Sequence, residues 1–200
     1  LSTPSVPRLP GLERFEGEVF HSSRWRHDVP LEGKRVAVVG TGASAVQFVP
    51  EIAGTAEHVT VFQRTPGWIL PRLDRSIPER RQALYRRFPI LQRIVRGRVY
   101  AGRELYVLAF TRAQFLLRLF EWFARFYLFL NVRDRTTRTA RSPDFSIGCK
   151  RVLLTSQWLP ALTRPDVSLV CGAASAVTPR GGVDHGGREH PADGIIFGTG

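Results

Sequence analysis

The sequence predicts an α/β fold, a three-layer domain that is built on a parallel sheet and carries a helical insertion. Three observations predict it: a β-branched run over residues 35–39, a second strand-like run over residues 57–63, and a long helical pattern over residues 76–141. The first run leads into a G-x-G-x-x-A turn, which consists of Gly40, Thr41, Gly42, Ala43, Ser44 and Ala45. A strand, a glycine-rich turn, a helix and a second strand open a Rossmann-like dinucleotide-binding domain.

The glycine turn predicts a dinucleotide site at residues 40–45. Its first glycine permits the tight turn, its second lets the backbone approach a pyrophosphate, and Ala45 is small enough for helix and strand to pack closely. The N-terminus of the following helix favours negative charge, because its free N–H groups can bind an anion. An ordinary tight turn in front of a helix is the alternative interpretation.

The helix after the turn is predicted to place one apolar face toward the sheet. At helical spacing this face consists of Val46, Val49, Ile52 and Ala53. Pro50 lacks an N–H donor, so we expect a bend or an early end of the helix there.

The end of the second strand predicts which dinucleotide is bound. Arg64 and Thr65 directly follow residues 57–63, at the distance where this fold contacts the adenosine ribose. An acidic residue there would bind the free hydroxyls of NAD, whereas an arginine accommodates the 2′-phosphate of NADP. Arg64 and Thr65 are therefore candidates for binding NADPH, and a solvated arginine at a strand end is the alternative.

The composition is that of a globular protein with a strongly basic charge. Of 200 residues 43% are hydrophobic, enough for one domain with or without an insertion, and the net charge is +12. The 27 arginines and two lysines are spread along the chain without a nucleic-acid-binding motif, so no nucleic acid is expected as a partner. Cys149 and Cys171 show neither a C-x-x-C pair nor metal-ligand spacing, which favours a reduced, cytoplasmic setting without a metal.

The helical insertion carries an apolar surface for which several partners are open. Over residues 105–132 a narrow polar stripe recurs on an otherwise apolar and aromatic helix. The stripe consists of Thr111, Gln114, Arg118, Glu121 and Arg125. Charges interrupt every apolar run, so no membrane span is predicted. We expect the apolar side to pack against the rest of a longer protein; an interfacial membrane helix, a substrate channel and a dimer surface are the alternatives.

A second motif stands ahead of the first predicted strand. Phe15, Gly17, His21 and Trp25 form the pattern F-x-G-x-x-x-H-x-x-x-W. Together with the glycine turn, this pattern resembles the fingerprint of the Baeyer–Villiger monooxygenases, flavoenzymes that use NADPH and O2 to insert an oxygen atom next to a ketone carbonyl. The family usually continues with proline or aspartate where this chain has Arg26, so an N- or S-oxidising flavin-containing monooxygenase is the alternative.

The resemblance implies cofactors, substrates and roles for further residues. It implies FAD and NADPH as cofactors, and O2 and a lipophilic ketone as substrates. It also implies that Lys150 contacts the NADP phosphate and that Arg151 is catalytic, reaching the flavin and stabilising negative charge on oxygen. The fingerprint would couple NADP binding to domain position, and residue chemistry alone favours His21 as an orienting hydrogen-bonder over a general base. A plain basic pair before a strand over residues 152–155 is the alternative for Lys150 and Arg151.

The resemblance further divides the chain into four segments of a flavoprotein with two dinucleotide-binding domains. Residues 1–30 would form the linker from the FAD domain, residues 31–75 the NADPH-binding β-α-β unit, and residues 76–141 the insertion. Residues 142–200 would complete the NADPH domain and return toward the FAD domain. The sequence shows one such glycine motif, so we expect a piece of a longer enzyme that is inactive alone. A non-catalytic membrane-surface binding module is the alternative from a different class.

A glycine-rich run over residues 181–194 predicts a hairpin turn. It contains His185 and His190, for which solvated positions are expected. No functional role is assigned to either histidine.

Overall fold

The computed structural model describes residues 4–72, 76–112 and 115–199, so Gln114 and the outer ends of some predicted segments lie outside the described residues. The strands are β1 (Glu18–His21), β2 (Arg35–Val39), β3 (His58–Gln63), β4 (Ile69–Leu70), β5 (Leu153–Leu154), β6 (Val167–Cys171), β7 (Ala176–Thr178), β8 (Gly181–Val183), β9 (Glu189–Pro191) and β10 (Gly194–Phe197). The helices are α1 (Ala45–Ile52), α2 (Glu79–Arg87), α3 (Pro89–Thr111), α4 (Phe115–Asn131), α5 (Arg135–Ala140) and α6 (Trp158–Ala161).

A five-stranded parallel sheet, in the order β1-β10-β2-β3-β6, is the middle of three layers. On one face Val38, Val61 and Ile196 pack in one apolar cluster with residues of α1 and α6. On the other face Phe62 and Phe197 pack in a second cluster, which includes Val177 of the antiparallel sheet β7-β8-β9. This alternation follows from the two-residue period of a strand. The predicted three-layer α/β class is confirmed, with a short antiparallel sheet as the third layer.

The helix after the glycine turn has the predicted apolar face. The buried residues of α1 are Ala45, Val46, Val49 and Ile52, and Ala53 is partly buried against them. The helix continues through Pro50 to Ile52, and the N–H of Ala53 donates to the carbonyl oxygen of Val49 at 2.9 Å, so the early end expected at Pro50 is not seen. Its buried side fixes the helix N-terminus at the carboxyl end of β2.

Helices α2 to α5 lie between β4 and β5 in the chain. The single helix predicted over residues 105–132 is wrong, because α3 ends at Thr111 and α4 begins at Phe115. The Thr111 hydroxyl donates to the carbonyl oxygen of Val107 at 3.1 Å, a bond of the kind that bends or weakens a helix. Among the described helices, none combines the length and apolar character that crossing a membrane requires.

Two residues of the predicted polar stripe contact the body of the domain. The carboxylate of Glu121 accepts a hydrogen bond from the N–H of Ile147 at 2.8 Å. The guanidinium of Arg125 lies 5.2 Å from the centre of the Trp68 ring, within cation–π range. These contacts attach α4 to the segment around β4 and to the loop that leads to β5.

The predicted hairpin is present between the antiparallel strands β8 and β9, and His185 is exposed as expected. The expectation of a solvated His190 is wrong. Its Nε2 lies 2.9 Å from Oδ2 of Asp184, and its ring meets Phe62 edge-on at 5.5 Å. Since His190 lies on the side of β9 that faces the parallel sheet, its ring becomes part of the layer contact.

Candidate functional site

The glycine turn lies at the carboxyl end of β2 and is packed against the chain that leaves β10. Gly40 has a φ of +100°, which favours glycine, and its N–H donates to the carbonyl oxygen of Phe62 at 3.1 Å. A Cβ atom on Gly40 would lie 3.1 Å from Cγ2 of Thr199. A Cβ atom on Gly42 would lie 3.1 Å from the carbonyl oxygen of Gly198. Both glycines therefore permit the close approach of the two turns.

The small third residue of the motif takes part in the same contact. Ala45 is fully buried, and a Cβ atom on Gly198 would lie 2.9 Å from the Cβ of Ala45. A larger side chain at either position would push α1 away from β10. Among the described residues, Ser44 makes no side-chain capping hydrogen bond at the start of α1. The N–H groups of Val46 and Gln47 donate to the carbonyl oxygens of Gly42 and Ser44. The N–H groups of the turn ahead of them can bind an anion, and this cradle fits the pyrophosphate of a dinucleotide.

Arg64 and Thr65 follow β3 and lie beside the glycine turn. The hydroxyl of Thr41 donates to the carbonyl oxygen of Thr65 at 3.5 Å, which is a long hydrogen bond. Gln63, the last residue of β3, is buried and donates to the carbonyl oxygen of Ala140 at 3.3 Å. Arg64 is exposed and forms no ion pair with any residue that the structure describes. A guanidinium without an acidic partner at this position can bind a phosphate.

The two basic segments enter a small ribbon from the same end. Residues 150–151 precede β5 as residues 64–65 precede β4, and these two strands pair in parallel. Strands that pair in parallel run in the same direction. The strand predicted over residues 152–155 is shorter in the structure and lies outside the five-stranded sheet, because β5 pairs with β4.

Lys150 and Arg151 both present positive charge to solvent. Nζ of Lys150 lies 4.5 Å from the centre of the Phe145 ring, a cation–π contact that holds the ammonium group over the loop. Arg151 forms neither an ion pair nor a ring contact within the described part of the chain. Its guanidinium is therefore available to a cofactor or substrate.

The first half of the fingerprint fixes β1 to β10 at the edge of the sheet. Phe15 packs into the apolar cluster on the side of the antiparallel sheet. A Cβ atom on Gly17 would lie 2.3 Å from the carbonyl oxygen of Asp193, so only glycine fits there. β1 then pairs with β10 in parallel, and His21 lies opposite Phe197.

His21 connects the fingerprint to the glycine turn. Its Nδ1 accepts a hydrogen bond from the backbone N–H of Ser23 at 3.1 Å, which places the ring proton of the neutral imidazole on Nε2. Nε2 lies 2.6 Å from the carbonyl oxygen of Thr199 and donates to it. Thr199 flanks Gly40, so His21 holds the chain against which the glycine turn packs. This geometry is that of an orienting hydrogen-bonder.

Trp25 joins the fingerprint to the helix that follows the glycine turn. Its ring lies 5.4 Å from that of Phe20 in an edge-on arrangement at 80°. It lies 5.2 Å from the ring of Phe48, a residue of α1. Aromatic pairs at these distances are favourable beyond the area that they bury. The last fingerprint residue therefore couples the chain after β1 to the position of α1.

Arg26, where the chain departs from the family pattern, belongs to an exposed ion-pair cluster. Its guanidinium lies 2.5 Å from a carboxylate oxygen of Glu18 and 2.6 Å from one of Asp28. The hydrogen bond from Arg26 is the main reason why the pKa of Asp28 is lowered. The departure thus affects the surface beside β1, and these contacts do not involve the glycine turn.

Arg141 is a feature that the sequence analysis missed. Its side chain is buried, and Nη2 donates to the carbonyl oxygen of Leu162 at 2.8 Å. Nε and Nη1 have no hydrogen-bond partner within the described residues. Burial lowers the pKa of this guanidinium. Several arginines between residues 133 and 141 look alike in the sequence, so no local signal marks the buried one.

A cavity of about 580 Å³ lies at the opposite end of the sheet from the glycine turn. Its lining includes Glu18, Arg35 and Asp193, at the amino ends of β1, β2 and β10. Parallel α/β sheets bind ligands outside the carboxyl ends of their strands, so this cavity is not the candidate site. Arg35 and Asp193 form an ion pair at 2.7 Å, and the Arg35 hydrogen bond is the main cause of the lowered pKa of Asp193.

The parallel sheet, the glycine turn and the arginine after β3 define a dinucleotide-binding α/β domain. The chain belongs to the flavin-binding monooxygenase-like family, whose sequence profile matches residues 2–101. The resemblance seen in the fingerprint is thereby confirmed.

Relatives of known class match the chain along its entire length. It is 48% identical to a Baeyer–Villiger monooxygenase of Pseudomonas aeruginosa and 46% identical to one of Streptomyces coelicolor. Each match covers 100% of this chain and 38% of the relative. The chain therefore spans well under half the length of these two proteins.

Solved structures of the same class share the fold. An open crystal structure of cyclohexanone monooxygenase matches with a TM-score of 0.81 and 26% identity, covering 100% of this chain and 46% of that chain. A complex of OTEMO with FAD and NADP matches with a TM-score of 0.79 and 27% identity, covering 98% and 44%. These neighbours confirm the α/β fold, including its dinucleotide-binding type.

Proposed function

We propose that this chain forms the NADPH-binding part of an FAD-dependent monooxygenase that inserts one atom of O2 next to a ketone carbonyl, giving an ester or a lactone. The observation that carries the proposal is the junction at Thr199, where His21 of the fingerprint meets Gly40 of the nucleotide turn. The identity to Baeyer–Villiger monooxygenases supports the same reaction class. Because the chain spans 38% of those relatives, the activity is proposed for the full-length protein.

The NADPH site would lie along the carboxyl ends of β2 and β3. The glycine turn and the N-terminus of α1 would hold the pyrophosphate, because glycine lets the backbone approach and the free N–H groups donate. Arg64, Thr65 and Lys150 would hold the 2′-phosphate. Support comes from the exposed side chain of Arg64, whose neighbour Thr65 accepts a hydrogen bond from Thr41 of the glycine turn. Further support comes from the parallel pairing of β4 with β5, the two strands that Arg64 and Lys150 precede. The two positive charges of Arg64 and Lys150 would favour NADPH over NADH, because only NADPH carries the 2′-phosphate.

Arg151 would be the catalytic residue of this segment. FAD, when bound, would take a hydride from NADPH and activate O2. Arg151 would place a permanent positive charge beside the flavin and stabilise negative charge on the ketone oxygen, since an arginine stays ionised through the reaction. The absence of an ion pair on Arg151 among the described residues supports this role, because a paired guanidinium would be less available.

The alternative is a flavin monooxygenase that oxidises nitrogen or sulfur. It depends on Arg26, which replaces the residue usual for the ketone-oxidising family. Arg26 forms ion pairs with Glu18 and Asp28 at the surface, so its contacts lie apart from the proposed cofactor site. Ketone oxidation therefore remains the better supported proposal.

Product analysis on the full-length protein tests the proposal. The FAD-loaded enzyme would be incubated with NADPH, O2 and cyclic and aryl ketones, and products would be identified by mass spectrometry. Ester or lactone formation is expected, and Arg151→Ala should abolish it while NADPH still reduces the flavin. Oxidation of amines or sulfides without any ester would overturn the ketone assignment.

We also propose a cytoplasmic location. Cys149 and Cys171 are both free and exposed, which suits a reducing compartment. Periplasmic or secreted protein in a fractionation of the source cells would contradict this proposal.

A further inference from the structure

Helix α4 exposes one continuous apolar face. Its members, which we call the aromatic face, are Phe115, Leu119, Trp122, Phe123, Phe126, Phe129 and Leu130. At 3.6 residues per turn they lie opposite the buried Ala124 and Leu128. Trp122 and Phe126 stack with ring centres 5.6 Å apart and planes within 2°. A contiguous exposed apolar surface of this kind marks an interaction site.

Helix α3 contacts α4, and its described side chains are exposed apart from the half-buried Leu91. Ile90, Ile94 and Val95 are about half exposed and lie within one arc of the helix at its 3.6-residue period. Arg93 and Arg96 lie outside this arc, whereas Arg98 lies within it. The helix therefore exposes apolar side chains next to arginines.

The segment that contains α2 and α3, which we call the arm, is strongly positive. Residues 76–111 contain eight arginines and two glutamates, a net charge of +6. The arginines are Arg80, Arg81, Arg86, Arg87, Arg93, Arg96, Arg98 and Arg103. All eight are exposed, and none forms an ion pair with a residue that the structure describes. A partner that covers the arm must therefore supply negative charge as well as apolar contact.

We propose that α2, α3 and α4 form a docking surface for an anionic lipid membrane. Aromatic side chains suit the boundary between headgroups and acyl chains, and exposed arginines suit lipid phosphates. A second copy of the chain would bring two arms of +6 together, which like-charge repulsion opposes. An anionic bilayer satisfies both requirements, and its role would be to bring a membrane-dissolved substrate to the full-length protein.

Vesicle co-sedimentation of the full-length protein tests this surface. Vesicles of phosphatidylglycerol are compared with vesicles of phosphatidylcholine, each at low and high salt. We expect binding to phosphatidylglycerol that weakens as salt rises, because salt screens the charge attraction. Equal binding to both lipids, or binding to neither, would overturn the proposal. Binding to neither would favour the earlier expectation that the apolar side packs against the rest of a longer protein.

Matched variants locate the surface. Each arginine near an anionic membrane contributes about fivefold to the partition coefficient, so Arg93→Gln with Arg96→Gln should lower it about 25-fold. The control is Arg180→Gln with Arg188→Gln, which removes the same charge from the antiparallel sheet. It should leave binding nearly unchanged. An equal loss in both double variants would show that total charge, and not the arm, governs binding, and would overturn the proposal.

The aromatic face is tested separately by Trp122→Ser with Phe126→Ser. Thermal unfolding first establishes that this variant folds, as expected for two exposed side chains. Vesicle binding should then fall and the blue shift of tryptophan fluorescence on lipid should shrink. Unchanged vesicle binding would overturn the proposal. If the wild-type protein sediments as a dimer without lipid and the double variant does not, the aromatic face is a dimer interface, and the proposal is also overturned.

Discussion

The Nε2 of His21 lies 2.6 Å from the carbonyl oxygen of Thr199, although 178 residues separate them in the chain. This hydrogen bond joins the last residue of β1 to the turn after β10. Thr199 also flanks Gly40, the first glycine of the nucleotide turn. A shift of the nucleotide turn would therefore reach His21 through a single residue.

Replacing His21 with alanine should weaken NADP binding about fivefold in the full-length protein. The lost hydrogen bond costs about 1 kcal/mol and releases Thr199 from its position against Gly40. The dissociation constant of NADP, measured by calorimetry, checks this expectation. His185→Ala is the control, since His185 is exposed at the hairpin and should bind NADP normally. Equal affinities for wild type and His21→Ala would contradict a positioning role.

Replacing Gly198 with alanine should lower both stability and NADP affinity. The new Cβ would lie 2.9 Å from the Cβ of Ala45, and relieving such overpacking costs about 1–3 kcal/mol. Gly102→Ala is a matched control, because a Cβ on Gly102 meets no atom within 4 Å. In a helix that substitution should stabilise by about 0.5–1 kcal/mol. Urea unfolding of both variants measures the change in the free energy of unfolding. An unchanged value for Gly198→Ala would show that α1 can move freely.

The glycine turn and α1 could be predicted because both depend on neighbours in the sequence. A β-branched run, two glycines and the spacing of Val46, Val49 and Ile52 specify a strand, a turn and an amphipathic helix. The contact of His21 with Thr199 depends on the order of strands in the sheet, which local spacing does not contain. The resemblance marked His21, and only the structure shows what it holds.

The errors have the same physical origin. The pattern over residues 105–132 continues through the point where α3 ends, because both helices have apolar residues at helical spacing. The structure shows that α3 packs against α4, a contact that local spacing does not contain. His190 looked solvated in a glycine-rich run, yet the pairing of β9 with β8 directs it toward Phe62. Tertiary contacts decided both positions.

Replacing Arg64 with alanine should weaken NADP far more than NAD. Only NADP carries the 2′-phosphate with which the exposed guanidinium would pair, and a charge-assisted hydrogen bond contributes about 1.5–3 kcal/mol. Dissociation constants for both dinucleotides measure the difference. Arg180→Ala, which removes another exposed arginine, should leave both constants unchanged. Equal losses for NAD and NADP after Arg64→Ala would remove Arg64 from the phosphate site.

The ion pair of Asp193 with Arg35 should make stability depend on acid pH. The pKa of Asp193 is lowered from 3.8, chiefly by the side-chain hydrogen bond from Arg35. A lowered folded-state pKa contributes stability above the unfolded-state value, and that contribution disappears as pH falls through the folded-state value. Asp193→Asn should therefore be less stable than wild type at neutral pH, and the two should converge below about 3.8.

Urea unfolding at a series of pH values measures this difference. The effect should be small, because both side chains are about two-fifths exposed and water screens the pair. Glu13→Gln is the control, since its contact with Arg14 is longer and more exposed and should contribute little to stability. A constant gap between wild type and Asp193→Asn at every pH would assign the loss to packing and not to charge.

Replacing Arg141 with methionine should stabilise the domain. The buried guanidinium leaves Nε and Nη1 without partners in the described structure, and burial lowers its pKa, which shows that the charged form is penalised. Methionine would fill similar space without unpaired donors, and such replacements of buried charge can gain about 1–4 kcal/mol. The loss of the bond to Leu162 opposes this gain by about 1 kcal/mol. A net increase in the free energy of unfolding is therefore expected. Arg135→Met is the control, because the Arg135 side chain is exposed and its replacement should be nearly neutral. A destabilised Arg141→Met beside a neutral Arg135→Met would mean that the buried charge has a partner that stabilises it.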